Sequence, residues 1–132
     1  MSEIRATTIS DETGSGPIAL TKQSAAKSYV NISSASLTNP ASLTGVNGSL
    51  NISSVLDVQT GEATVSFTNN MNNDDYSVVG TSNQSNAVGG RNSNFGAYAL
   101  GTSSYTFSTS RANTAGVEDG FVVSATVHGD LA

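Results

Sequence analysis

Between Glu62 and Thr68 the chain reads Glu-Ala-Thr-Val-Ser-Phe-Thr, so Ala63, Val65 and Phe67 share one side and polar residues the other. Successive side chains of a strand point to opposite faces, whereas the apolar positions of a helix recur every three or four residues. The period of two therefore specifies a half-buried β-strand. Just before it, Leu50, Ile52 and Leu56 fall on alternate positions, with Ser54 interrupting the apolar series. Two such runs across the turn residues Gln59-Thr-Gly61 predict a β-hairpin.

The same pattern recurs along the chain. Tyr29-Val-Asn-Ile32 reads as a first strand, and Tyr76-Ser-Val-Val-Gly80 follows the turn Asn69–Asp75. Phe95-Gly-Ala-Tyr-Ala-Leu100 turns at Gly101–Ser104 into Tyr105-Thr-Phe-Ser-Thr109, and Phe121, Val123, Ala125 and Val127 line up in the last strand. Residues Ser33 to Ser49 predict a long surface loop with room for a short edge strand, and Thr81 to Asn94 a polar loop. Thr21–Lys27 is the one helical candidate, barely two turns, with Thr21 as its cap. Short strands with one apolar face each predict an all-β, antiparallel β-sandwich, jelly-roll-like in form. It would carry an extended N-terminal arm and one short helix.

Composition sets the terms of stability. Ser, Thr and Asn occupy 50 of the 132 positions, 36% of residues are hydrophobic, and four Phe and four Tyr must anchor a thin core without Trp or Cys. One domain is expected over residues 20–132. Residues 1–19 form a leader in which Ile4, Ala6 and Ile9 alternate imperfectly before the flexible link Ser10–Pro17. An extended segment followed by such a link is a docking arm, with Ile4, Arg5, Thr7 and Ile9 as its candidate contacts.

Charge and hydropathy exclude several classes. A formal charge of -5 with five basic residues cannot neutralise a run of phosphates, so no nucleic-acid partner is expected. No stretch approaches the ~20 apolar residues of a bilayer span, so no membrane insertion is expected. The N-terminal Met-Ser-Glu-Ile-Arg has neither the positive charge nor the apolar run of a signal peptide, which predicts a protein made in the cytoplasm.

The inventory for catalysis is sparse. His128 is the single imidazole, followed by Gly129 and Asp130, and a Ser-His-Asp relay would have to be built on it. The carboxylate pairs Asp11/Glu12, Asp74/Asp75 and Glu118/Asp119 are sequence neighbours in turns, pointing apart rather than across a cleft. Asn72-Asn-Asp-Asp75 offers the oxygen ligands Ca²⁺ prefers but not the register of an EF-hand, and Asn and Asp make such turns without an ion. The expectation is a non-enzyme with no metal and no cofactor.

Binding and assembly remain. Asn83, Asn86, Arg91, Asn94 and Tyr98 place amide and guanidinium donors beside an aromatic ring, a candidate surface-binding loop over 83–98 that could hydrogen-bond and stack against sugars. The thin core, with apolar neighbours such as Val78 and Val79, leaves apolar surface that a homo-oligomer would cover.

A set of segments carries a family resemblance: Leu20–Asn31 (Leu-Thr-Lys-Gln-Ser-Ala-Ala-Lys-Ser-Tyr-Val-Asn), Ser49–Asp57, Thr60–Thr68, Asp75–Val78 and the closing Val127-His-Gly-Asp130. Together they resemble a small β-rich module of tailed, marine-type bacteriophages, similar to C-terminal parts of tail fibre and virion structural proteins. The chain departs from that pattern in carrying Tyr29 where the module often has Trp, and in the loop Ser33–Ser49. The leader resembles segments that attach phage fibres to the particle. The resemblance implies a homotrimer located on the virion, bound to capsid or tail proteins and stabilising the particle or contacting a host surface glycan. With no room for a long shaft, a short fibre, knob or capsid decoration protein is expected. The rival expectation is a carbohydrate-binding module acting through the 83–98 loop.

Overall fold

A computed structural model describes residues 26–33, 36–83, 92–111, 117–120 and 122–130. The docking-arm residues Ile4, Arg5, Thr7 and Ile9 lie outside these residues, as does Thr21–Ala25 of the expected helix. Ala26 and Lys27, the end of that candidate helix, are not helical; Lys27 N donates to Val127 O at 2.8 Å and so opens a sheet ladder.

Eight strands follow: β1 Ser28–Ile32, β2 Val46–Leu50, β3 Ile52–Gln59, β4 Glu62–Phe67, β5 Ser77–Asn83, β6 Asn92–Tyr98, β7 Ser104–Arg111 and β8 Val122–His128. All pair antiparallel, in the order β2-β1-β8-β5-β6-β7-β4-β3. The ladder narrows between β5 and β6 to two partner pairs, Ser82↔Ser93 and Asn83↔Asn92. It thereby divides into two four-stranded antiparallel sheets, β2-β1-β8-β5 and β6-β7-β4-β3.

Their inner faces supply one core. Val30, Ile32, Val123, Ala125 and Val127 come from the first sheet, and Ile52, Val55, Ala63, Val65, Phe67, Tyr105 and Phe107 from the second. Alternation placed the β4, β7 and β8 residues correctly, since an apolar side chain on every second residue must share one face. Phe67 packs edge-on against Tyr76 at 5.8 Å, and Phe95 stacks on Phe107 at 5.6 Å. Such ring pairs add to the burial energy of a core with few large side chains.

β3 departs from the sequence expectation. Its register shifts between Ile52 and Ser54, so one extra residue is inserted and the phase reverses. Ile52 and Val55 face the core, while Leu56 is half-buried and Leu50 is exposed. The corner between β2 and β3 is Asn51, which takes a positive φ of 58° that asparagine tolerates. Its amide holds the chain across the gap, accepting from Asn69 N at 2.7 Å and donating to Asn69 O at 3.0 Å.

The expected loop from Ser33 to Ser49 does contain an edge strand, β2. The expected polar loop Thr81–Asn94 does not hold at its ends: β5 continues through Asn83 and β6 begins at Asn92. Gly80 explains the seam, because an added Cβ would lie 2.6 Å from the Phe95 ring. The missing side chain lets a ring from the second sheet close over the first.

Candidate functional surfaces

The hairpin turn expected at Gln59-Thr-Gly61 is anchored by residues distant in sequence. Gly61, at φ 74°, donates its N–H to Asp119 Oδ1 at 2.7 Å, and its carbonyl accepts from Thr109 N at 2.7 Å. The Thr109 hydroxyl donates to Glu118 O, and Glu118 N donates to Thr109 O at 3.0 Å. A Cβ on Gly61 would sit 2.7 Å from Glu118 N, so the turn requires glycine. Asp119, one of the paired carboxylates, is thus a structural clasp. In the exposed turn at 72–75, Asn73 Oδ1 accepts from Asp75 N at 3.1 Å, the turn chemistry that asparagine supplies by itself. Among the described residues no group of three or more His, Cys, Asp or Glu is placed to hold a metal. None of their helices is long and apolar enough to cross a membrane.

The outer faces of the two sheets differ in chemistry. On the first, cross-strand pairing aligns Leu50, Tyr29, Thr126 and Val79 in one row. Three of these are apolar or aromatic and open to solvent, Leu50 at 49%, Tyr29 at 42% and Val79 at 62%. The neighbouring row is Gly48, Asn31, Ser124 and Thr81. There Asn31 Nδ2 donates to Ser124 Oγ at 2.6 Å, and Asn31 Oδ1 accepts from Asn47 Nδ2 at 2.9 Å. Between Tyr29 and Val79 runs an open groove of about 340 Å³ floored by Ser124, Ala125 and Thr126. β1, β2, β5 and β8 contain no Asp, Glu, Lys or Arg.

The second outer face is hydroxyl-rich and carries charge. Leu56, Thr64, Thr106 and Tyr98 form one row, and Glu62, Ser108 and Gly96 the next. Thr64 and Thr106 share a hydrogen bond of 2.9 Å between their hydroxyls, and Gln59 Nε2 donates to Glu62 Oε2 at 2.6 Å. The Tyr98 phenol is held above its ordinary pKa, first by desolvation and then by its hydrogen bond to Glu62 and the charge of that carboxylate.

The five residues expected to form one binding loop are not gathered in one. Asn83 ends β5, Asn94 and Tyr98 lie in β6, and Asn86 and Arg91 fall outside the described residues. Asn94 and Tyr98 are both exposed, Tyr98 among the hydroxyls of the second face. Sequence reasoning missed Glu62, which Gln59 hydrogen-bonds on the same face, and missed the Leu50–Tyr29–Val79 row. The usable signal was Val79 and Tyr29 standing out of phase with the partly buried Val78 and the buried Val30. No protein-family model, curated protein or solved structure matches this chain.

Proposed function

We propose that the chain is a non-enzymatic bacteriophage virion protein, a short fibre, knob or decoration protein whose heads associate as a homotrimer. In this reading residues 1–19 are the arm that docks on capsid or tail proteins, and the head is jelly-roll-like. The strand order supports that wind, since β5 to β8 lie as 8-5-6-7 and β4 to β7 as 4-7-6-5, two overlapping Greek keys.

The observation that carries the self-association in this reading is the charge-free first sheet with its exposed apolar row. A chain of net charge -5 repels its own copies wherever carboxylates meet, and no strand of this sheet holds one. Leu50, Tyr29 and Val79 supply apolar area, while Asn31, Asn47, Ser124 and Thr81 supply neutral partners for a rim. A second copy of this chain is the occupant that such a face suits.

The arm is tested by deleting residues 2–16 and measuring incorporation into particles. Loss of incorporation by a head of unchanged thermal stability is expected. Incorporation at the normal level would overturn the docking role.

A further inference from the structure

From the second outer face we infer a binding platform for neutral saccharides, built by Tyr98, Glu62 and Gln59 over a floor of Ser108, Thr106 and Gly96. This goes beyond the proposed particle role and stands on different residues.

Tyr98 belongs to β6 and Glu62 to β4, with β7 between them. Two strand spacings, roughly 10 Å, separate those backbones, and the two residues also sit in adjacent rows rather than opposite each other. Both residues sit on the outer face beside β7, Tyr98 opposite Thr106 and Glu62 opposite Ser108. Tyr98 is 43% exposed, so part of an aromatic surface is presented to solvent.

Gly96 keeps the space beside it open. A Cβ there would meet nothing nearer than Ser108 Oγ at 3.8 Å. Glu62 is in turn oriented by Gln59. The result is an aromatic ring, a positioned carboxylate acceptor, an amide and a row of hydroxyls on one rigid surface. A pyranose with equatorial hydroxyls presents an apolar C–H face for the ring and a rim of donors for Glu62, and such a combination of apolar contact with a few fixed polar groups is how small-molecule sites gain orientation. Glu62 and the net charge of -5 exclude uronic and sialic acids.

The test is a titration of the full chain, followed by amide NMR shifts, with cellohexaose, chitohexaose and a hexuronate oligomer, each to ~10 mM. Saturable shifts at residues 59–62, 96–98 and 106–108 are expected with at least one of the neutral probes, with Kd of about 1 mM. Tyr98→Ala should weaken binding tenfold or more, and Gly96→Leu, which fills open space in a strand, should abolish it. Glu62→Gln should weaken binding, and Tyr29→Ala on the opposite face should leave it unchanged. Tyr98→Ala and Gly96→Leu are expected to keep the wild-type shifts elsewhere. No saturable shift with either neutral probe, equal binding of the hexuronate, or loss on Tyr29→Ala in place of Tyr98→Ala would overturn the proposal.

Discussion

The two sheets share one core yet present opposite exteriors. β2-β1-β8-β5 carries no Asp, Glu, Lys or Arg and lines up Leu50, Tyr29 and Val79, whereas β6-β7-β4-β3 carries Asp57, Glu62 and Arg111 and an outer row of hydroxyls around Tyr98. Inward residues are set by the demand for a common apolar interior. Outward residues are free of that demand, so the contrast between the two faces is where function can be written. A face without charge suits association of an acidic chain with itself, and a face of hydroxyls with one exposed ring suits a polar ligand.

The comparison holds only while the interior joins the two sheets, and Phe107 tests that junction hardest. It is buried in the core cluster that residues of both sheets form, so Phe107→Ala should cost about 3–5 kcal/mol in urea unfolding. A result within 1 kcal/mol of zero, on the order of the natural scatter of surface changes, would mean the shared core does not depend on that side chain. Gly80→Val attacks the seam from the first sheet, driving methyls into the Phe95 ring, and should cost about 1–3 kcal/mol by the same assay. Gly96→Val, in open space on the second sheet, should by contrast be nearly neutral.

Much of this architecture was legible from alternation. Ala63, Val65 and Phe67, Tyr105 and Phe107, and Val123, Ala125 and Val127 are buried as their period of two requires. Alternation failed where backbone irregularity intervened, as in β3, whose bulge moved the core position from Leu56 to Val55. It failed again at Thr81-Ser-Asn83 and Asn92-Ser-Asn94, strand ends whose polar residues carry no hydrophobic signal. Met71 was also missed: it is fully buried inside an asparagine-rich turn, where Met71 N donates to Thr102 O at 2.8 Å. The two outer rows were illegible for a different reason. Each joins residues from strands far apart in sequence, and only the pairing registers bring Tyr29 beside Thr126 or Glu62 beside Ser108.

Two core tyrosines sharpen the account of the shared interior. The Tyr76 hydroxyl donates to Gly101 O at 2.9 Å and to Ser104 O at 3.0 Å, while the buried Tyr105 hydroxyl has no protein partner. Tyr76→Phe should therefore destabilise by about 1 kcal/mol and Tyr105→Phe should stabilise by a similar amount, both read from urea midpoints. Burial raises both phenols above the ordinary value of 10.0, and at Tyr76 the bond to Gly101 opposes the shift. Below that value both states keep the proton and stability is intact. Above it the unfolded chain ionises first, so stability should fall as pH climbs through 10.0 toward the folded pKa values. Tyr105→Phe should flatten that fall, and an unchanged slope would contradict the burial of its phenol.

The smallest effects on folding fall on the outer faces, and there the comparison meets its most direct test. Val79→Glu places a carboxylate in the charge-free row and Gly96→Glu places one on the hydroxyl-rich face, each expected within about 0.5 kcal/mol of wild-type stability. Sedimentation of the three proteins at micromolar concentration should find wild type and Gly96→Glu as trimers and Val79→Glu as a monomer. A monomeric wild type, or dissociation by Gly96→Glu with Val79→Glu still assembled, would contradict the assignment of assembly to the first sheet.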